Sequence, residues 1–113
     1  MLALNVDEGY AFDYLTILEI KKNRSNKARR AWRECYECLK AQLPALLWMQ
    51  IVTSEQYKTL KMTNKLTFNA VEKARYGYID AKEVDDRNQL RYQAKVKLQE
   101  KFFPSSKVTE FKT

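Results

Sequence analysis

Apolar residues recur at helical spacing along most of this chain, and the interruptions of that pattern delimit its elements. Over residues 8–22, Tyr10, Ala11, Tyr14, Leu15, Ile17 and Leu18 share one broad helical face, with Asp7 placed to cap the start. Asp13, Thr16, Glu19 and Asn23 gather opposite, but Phe12 and Ile20 sit among them. A surface helix has a cleaner polar side, so this one is expected to be covered on two sides, within the domain or by a second subunit. "NRSN" at residues 23–26 breaks the pattern, and Ser25 or Asn26 can cap the next helix. That second helix, over residues 27–43, carries the stripe Ala28, Trp32, Cys35 and Leu39. The short break favours an antiparallel hairpin of these two helices, with one long kinked helix as the alternative.

Pro44 interrupts next. The run "ALLWMQIV" has no decisive period and is read as buried and helical. Thr53 with Gln56 forms a capping-box pattern for a helix that ends near Gly77, and Asp80 with Glu83 resembles another for a helix reaching Phe103. Pro104 stops it. Only two Gly and two Pro occur in 113 residues, too few for the corners of a turn-rich β fold. The expectation is an all-α fold, a three- to four-helix bundle beginning with an antiparallel helical hairpin. Residues 1–103 form one domain, and residues 104–113 a tail that is frayed or docked.

Charge changes the picture. The stretch "KKNRSNKARRAWR" holds Lys21, Lys22, Arg24, Lys27, Arg29, Arg30 and Arg33 and no acid, while the rest of the chain carries 14 basic and 14 acidic residues. The whole excess of +7 therefore lies in one segment. Arg29, Arg33, Tyr36 and Lys40 line up on the second helix, a basic stripe with an aromatic that suits phosphate contact and base stacking. Against this, Arg30–Glu34 and Arg33–Glu37 are spaced as stabilising helical pairs, and Lys21 and Lys22 sit at a helix C-terminus, where cations are favoured. An anionic partner and a solvated turn both remain open.

A second set of polar residues interrupts apolar stripes. Asn64 and Arg75 do so on the third predicted helix, Arg87 and Arg91 on the last. Buried charges need partners, and Asp13 and Glu19 are the acids on a half-covered helix. These residues form either an internal ion-pair network or a polar pocket in which arginines hold an anion.

Catalysis and metal chemistry find little support. The chain has no His and no glycine-rich phosphate loop. Cys35 and Cys38 have C-x-x-C spacing, but no βαβ context suits redox chemistry, and zinc would need a second subunit to complete four ligands. They are read as two buried thiols, and no enzyme activity, cofactor or metal is expected. The start "MLALNVDEGY" lacks signal-peptide features, and "PALLWMQIV" falls short of the roughly 20 apolar residues of a bilayer span. A cytoplasmic protein with reduced thiols and no membrane partner is expected.

"FDYLTILEIKKNR", residues 12–24, resembles the first helix of a functionally uncharacterised family of small helical proteins in bacteria and phages, which begins "IDKLTILEIK". "NKLTFNAVEKAR", residues 64–75, is similar to a later helix of that family, and "DDRN", residues 85–88, to a further short motif. This chain departs in Tyr14, where the family has Lys, and in its very short connection after the first helix. The resemblance implies an all-helical fold and a polar cluster of Asp13, Thr16, Glu19, Lys21, Asn64 and Arg75. It implies no activity, and it raises a phage accessory role in a host cytoplasm. The expected function is a non-enzymatic, oligomeric binding protein whose basic hairpin meets nucleic acid or a nucleotide. The alternative is a phage-type structural or host-inhibiting module that docks an acidic protein.

Overall fold

The computed structural model describes residues 7–77 and 80–104. Among the described residues five helices occur in order: α1 Glu8–Lys21, α2 Asn26–Gln42, α3 Ala45–Val52, α4 Glu55–Arg75 and α5 Ala81–Phe102. The described residues are all-α, with no strand among them. The helix count exceeds the expected three or four because "ALLWMQIV" stands as a helix of its own between Pro44 and Thr53. The tail expected at residues 104–113 lies outside the described residues after Pro104.

Side-chain oxygens start four of the five helices. Asp7 accepts from the Tyr10 amide at 2.6 Å, Ser25 from Ala28 at 3.0 Å, Ser54 from Tyr57 at 3.1 Å and Asp80 from Glu83 at 3.0 Å. Thr53 was expected to cap α4. Its hydroxyl instead donates back to the Met49 carbonyl at 2.6 Å, ending α3 and leaving the cap to Ser54. A break at residues 22–25 separates α1 from α2, which excludes one continuous helix. Gly77 follows α4 with φ of 77°, a left-handed turn that glycine adopts without strain.

Helix α1 packs against α2, α4 and α5. Its mixed pattern follows from that position. Phe12 and Leu15 are fully buried in the apolar core with Trp48, Ile51, Tyr57, Leu60 and Leu98. The Phe12 ring lies 5.9 Å from Trp48, 6.4 Å from Tyr57 and 6.3 Å from Phe103. Burying a side chain of this size stabilises by about 1.5–3 kcal/mol. Asp13 and Thr16, on the side that would face water in a surface helix, are buried as well. The chain itself supplies this second cover, so α1 does not require another subunit for it. At its start α1 comes so close to α5 that a Cβ on Gly9 would stand 3.1 Å from Gln99 Oε1 and 3.2 Å from the Lys95 carbonyl oxygen. The Gly9 amide donates to that same Gln99 oxygen.

Helix α2 turns Trp32, Cys35 and Leu39 to the core, but none of its residues is fully buried. The reading of two buried thiols holds only in part: Cys35 is half-buried, while Cys38 is exposed, its sulfur accepting from Gln42 Nε2 at 3.1 Å. One helical step carries Cys38 off the inward stripe. Burial, and then the neighbouring Cys38, push the Cys35 thiol above its ordinary value. Among the described residues no group of three or more His, Cys, Asp or Glu could hold a metal, and no helix is long and apolar enough to cross a membrane.

Candidate functional site

Four of the polar residues singled out in the sequence meet where α1, α4 and α5 converge. Asp13 and Asn64 are each 4% exposed and Thr16 is fully buried. The Asn64 amide nitrogen donates to Asp13 Oδ1 at 2.8 Å and to Thr16 Oγ1 at 2.6 Å. Arg91 donates through Nε to Asp13 Oδ1 at 3.2 Å and through Nη2 to Oδ2 at 2.7 Å, a two-pronged grip on one carboxylate. The hydrogen bonds to Asp13 hold the Arg91 guanidinium above its ordinary pKa, against the opposing effect of burial. Because Asp13 Oδ1 is an acceptor, the Asn64 amino group must face it, and the Asn64 carbonyl oxygen turns away.

Glu19 lies further along α1, nearer its C-terminal end, and forms a separate group. It accepts from the Tyr57 hydroxyl at 3.0 Å and from Lys61 Nζ at 3.0 Å. Burial, and then the Glu19 charge, push the Tyr57 phenol far above its ordinary pKa. Two expected members are absent from the cluster. Arg75 is exposed in the last turn of α4 and has no ion pair among the described residues. Arg87 pairs with Glu83 on its own helix at 3.7 Å, both partly exposed. A linear stripe overestimates the cluster here, since α1 crosses only part of the α4–α5 pair.

The basic segment forms the corner between α1 and α2. Lys21, Arg24, Lys27, Arg29, Arg30 and Arg33 are exposed, and Lys22 is half-buried. Two of these cations lie over rings: Lys22 Nζ is 4.4 Å from the centre of Trp32, and the Arg24 guanidinium 4.2 Å from that of Phe68. The pairs Arg30–Glu34 and Arg33–Glu37, though correctly spaced, are not closed as ion pairs, and none of the seven cations has one among the described residues. The first turn of α2 contains no acid, so the positive end of its dipole adds to the cluster. Tyr36 is not the free stacking platform that its spacing suggested. It is half-buried between Trp32, at 5.3 Å, and Trp48, at 5.0 Å, with Lys40 Nζ 6.0 Å from its ring.

Two clefts flank Arg91. A small cavity of about 110 Å³ has Ile17, Ile20 and Phe68 as apolar walls, Asn64, Thr67 and Arg91 as polar lining, and Lys21 at its edge. On the other side, a cleft of about 260 Å³ is lined by Tyr10, Asp13, Asn88, Arg91, Tyr92 and Lys95. Lys95 is 6% exposed, and burial holds its ammonium below the ordinary lysine range while Asp7 and Asp13 partly compensate.

Sequence reasoning did not single out Ile17, Thr67, Phe68, Lys61, Lys65 or Lys95 for this region. The one available signal was Ile20, an apolar residue among polar ones, which turns out to wall the small cavity. Lys65 shares the α4 stripe of Lys61, the Glu19 partner, and Phe68, the ring beneath Arg24, and so adds an exposed cation beside the basic corner. No protein-family model matches the chain, and comparison with curated proteins and with solved structures returns no match.

Proposed function

We propose that this chain is a small non-enzymatic binding protein whose basic α1–α2 corner holds an anionic partner, a nucleic acid or a nucleotide. The observation that carries the reading is the lack of neutralisation. Seven cations within thirteen residues have no ion-pair partner among the described residues, and the dipole of α2 reinforces them. Helix stability alone would place acids in that first turn. The short connection between two packed helices supports an antiparallel hairpin as the frame of the corner. Fluorescence anisotropy on labelled DNA tests the proposal. Affinity should fall linearly in log–log terms with salt, by roughly 0.9 power per duplex phosphate neutralised. No binding at low salt, either of DNA or of a labelled nucleotide, would overturn it.

Self-association has its best support on the outer face of α4 and α5. Met62, Leu66 and Leu90 are 57%, 38% and 45% exposed. Thr67 donates to the Arg87 carbonyl, and Thr59 shares a cleft with Ala94 and Lys97, so the two helices run past each other with Met62 and Leu66 level with Leu90. Glu55 and Lys73 flank this patch on α4, as Glu83 with Asp86 and Lys97 flank it on α5. That layout is complementary to a second copy turned end for end. Sedimentation at micromolar concentration showing only a 13.4 kDa species would remove this part of the proposal.

A protein-docking role is the second reading, and α3 favours it. Residues 41–54 contain no charge, and Leu46 and Met49 stand 71% and 56% exposed. Capture of an acidic protein without any binding of nucleic acid would favour this module.

A further inference from the structure

The small cavity beside the basic corner has features that a packing gap lacks. Empty gaps between helices are apolar, whereas this one is lined by Asn64, Thr67 and Arg91 beside its apolar walls. The Asn64 carbonyl oxygen is turned away from Asp13 and Thr16 by the two bonds of its own nitrogen. Arg91 uses Nε and Nη2 on Asp13, which leaves Nη1. An acceptor and a donor, each locked in place by Asp13, thus line one cavity. Its walls are the flat ring of Phe68 and two branched side chains, Ile17 and Ile20. Lys21 and the Arg24 that covers Phe68 lie at its edge and belong to the basic corner.

We infer that this cavity takes a single pyrimidine ring, while Lys21 and Arg24 hold the phosphate attached to it. The inference rests on the anionic-partner reading and specifies what part of that partner enters the fold. Size decides between ring systems. A closed cavity of about 150 Å³ accommodates benzene. A volume of about 110 Å³ is smaller than that but opens to solvent, so it takes the edge of one six-membered ring with the substituents in its mouth, and it is too small to enclose a purine. The lining suits a base edge: thymine, uracil and cytosine place an N–H beside an acceptor, as the purines also do, so size alone carries the choice between ring systems. The Asn64 oxygen accepts from the N–H and Arg91 donates to the acceptor. The ring comes from a free nucleotide or from a base turned out of a single strand. The recognition is the same in both cases.

The test measures wild-type affinity by anisotropy for labelled twelve-nucleotide strands of dT, dC, dA and abasic deoxyribose phosphate. The methyl NMR signals of Ile17 and Ile20 are followed with dTMP and with the dT strand. The dT and dC strands should bind about tenfold more tightly than the abasic strand, in line with the worth of a stacked base. The dA strand should bind like the abasic one, and both isoleucine methyls should shift. Ile20→Phe, which fills the cavity, should reduce dT affinity to the abasic level. Should that variant not fold, the wild-type methyl shifts decide. Equal binding of dT and abasic strands would overturn the cavity proposal and leave the basic corner intact. So would a preference for dA, or a dT preference with unmoved methyls. Failure of every strand at low salt, with dTMP still shifting the methyls, would overturn the nucleic-acid form of the corner reading and support the nucleotide form. Failure of all ligands would overturn both. Shifts with dTMP as large as with the dT strand point to a free nucleotide, and shifts with the strand alone to single-stranded nucleic acid.

Discussion

The polar cluster under α1 and the basic corner at the α1–α2 turn hold charge in opposite ways. In the first, Asp13 is almost wholly buried and accepts from Arg91 Nε and Nη2 and from the Asn64 amide nitrogen. In the second, a larger set of charges stands in water with no acid engaged. A buried charge must be matched inside the chain, since desolvation leaves it no other partner. An exposed charge costs little to leave unmatched, so an unmatched group is available for something outside the chain. The difference sets a cluster matched within the chain beside a corner left unmatched, and Arg91 of the first and Lys21 of the second line one cavity.

The largest effect should come from unbalancing the cluster. Asp13→Leu leaves Arg91 and Asn64 without their shared acceptor. The Arg91 side chain is 33% exposed and can partly recover water, which sets the loss at the low end for a broken buried pair, about 3 kcal/mol. Thermal denaturation should register a fall of roughly 15 °C. Adding Arg91→Met should recover most of it, and a double variant as unstable as the single one would mean that Asp13 acts through Asn64 rather than Arg91.

The basic corner should respond in the reverse sense. Arg29→Glu with Arg33→Glu removes no buried contact, because both residues are exposed. Circular dichroism should report stability within about 0.5 kcal/mol of the wild type. Affinity for DNA should fall about tenfold or more on every sequence, since phosphate contacts position without specifying. Unchanged affinity would return the corner to a solvated turn.

Tyr57→Phe probes the intermediate case of Glu19, where a half-buried carboxylate is shared by a phenol and Lys61. One hydrogen bond is lost while Lys61 remains, so chemical denaturation should show a decrease of about 1 kcal/mol. A much larger loss would place Glu19 with the buried cluster.

The smallest effect concerns Lys95. Its folded-state pKa lies below the ordinary value, so between the two the unfolded chain binds more protons than the native one. Stability contributed by this group therefore rises with pH across that window, and the penalty is complete below it. Lys95→Met should flatten the rise in denaturation midpoints on the alkaline side toward pH 10.5, and an unchanged slope would show that the amine is solvated.

Much of this molecule was legible in the linear pattern. Scarce Gly and Pro, apolar stripes on four segments and the caps at Asp7, Ser25 and Asp80 lead to helices by local physics alone. Charge segregation at residues 21–33 is likewise a property of composition. Tertiary structure alone decided which arginine meets Asp13, because residues 78 positions apart are brought together by the crossing of α1 over α5. Helical spacing gives a residue's face but not the height at which another helix crosses it, so Arg75 and Arg87 looked equivalent to Arg91. The same limit hid the role of Ile20. A cavity between α1, α4 and α5 exists only where three helices leave a gap, and no single helix encodes it.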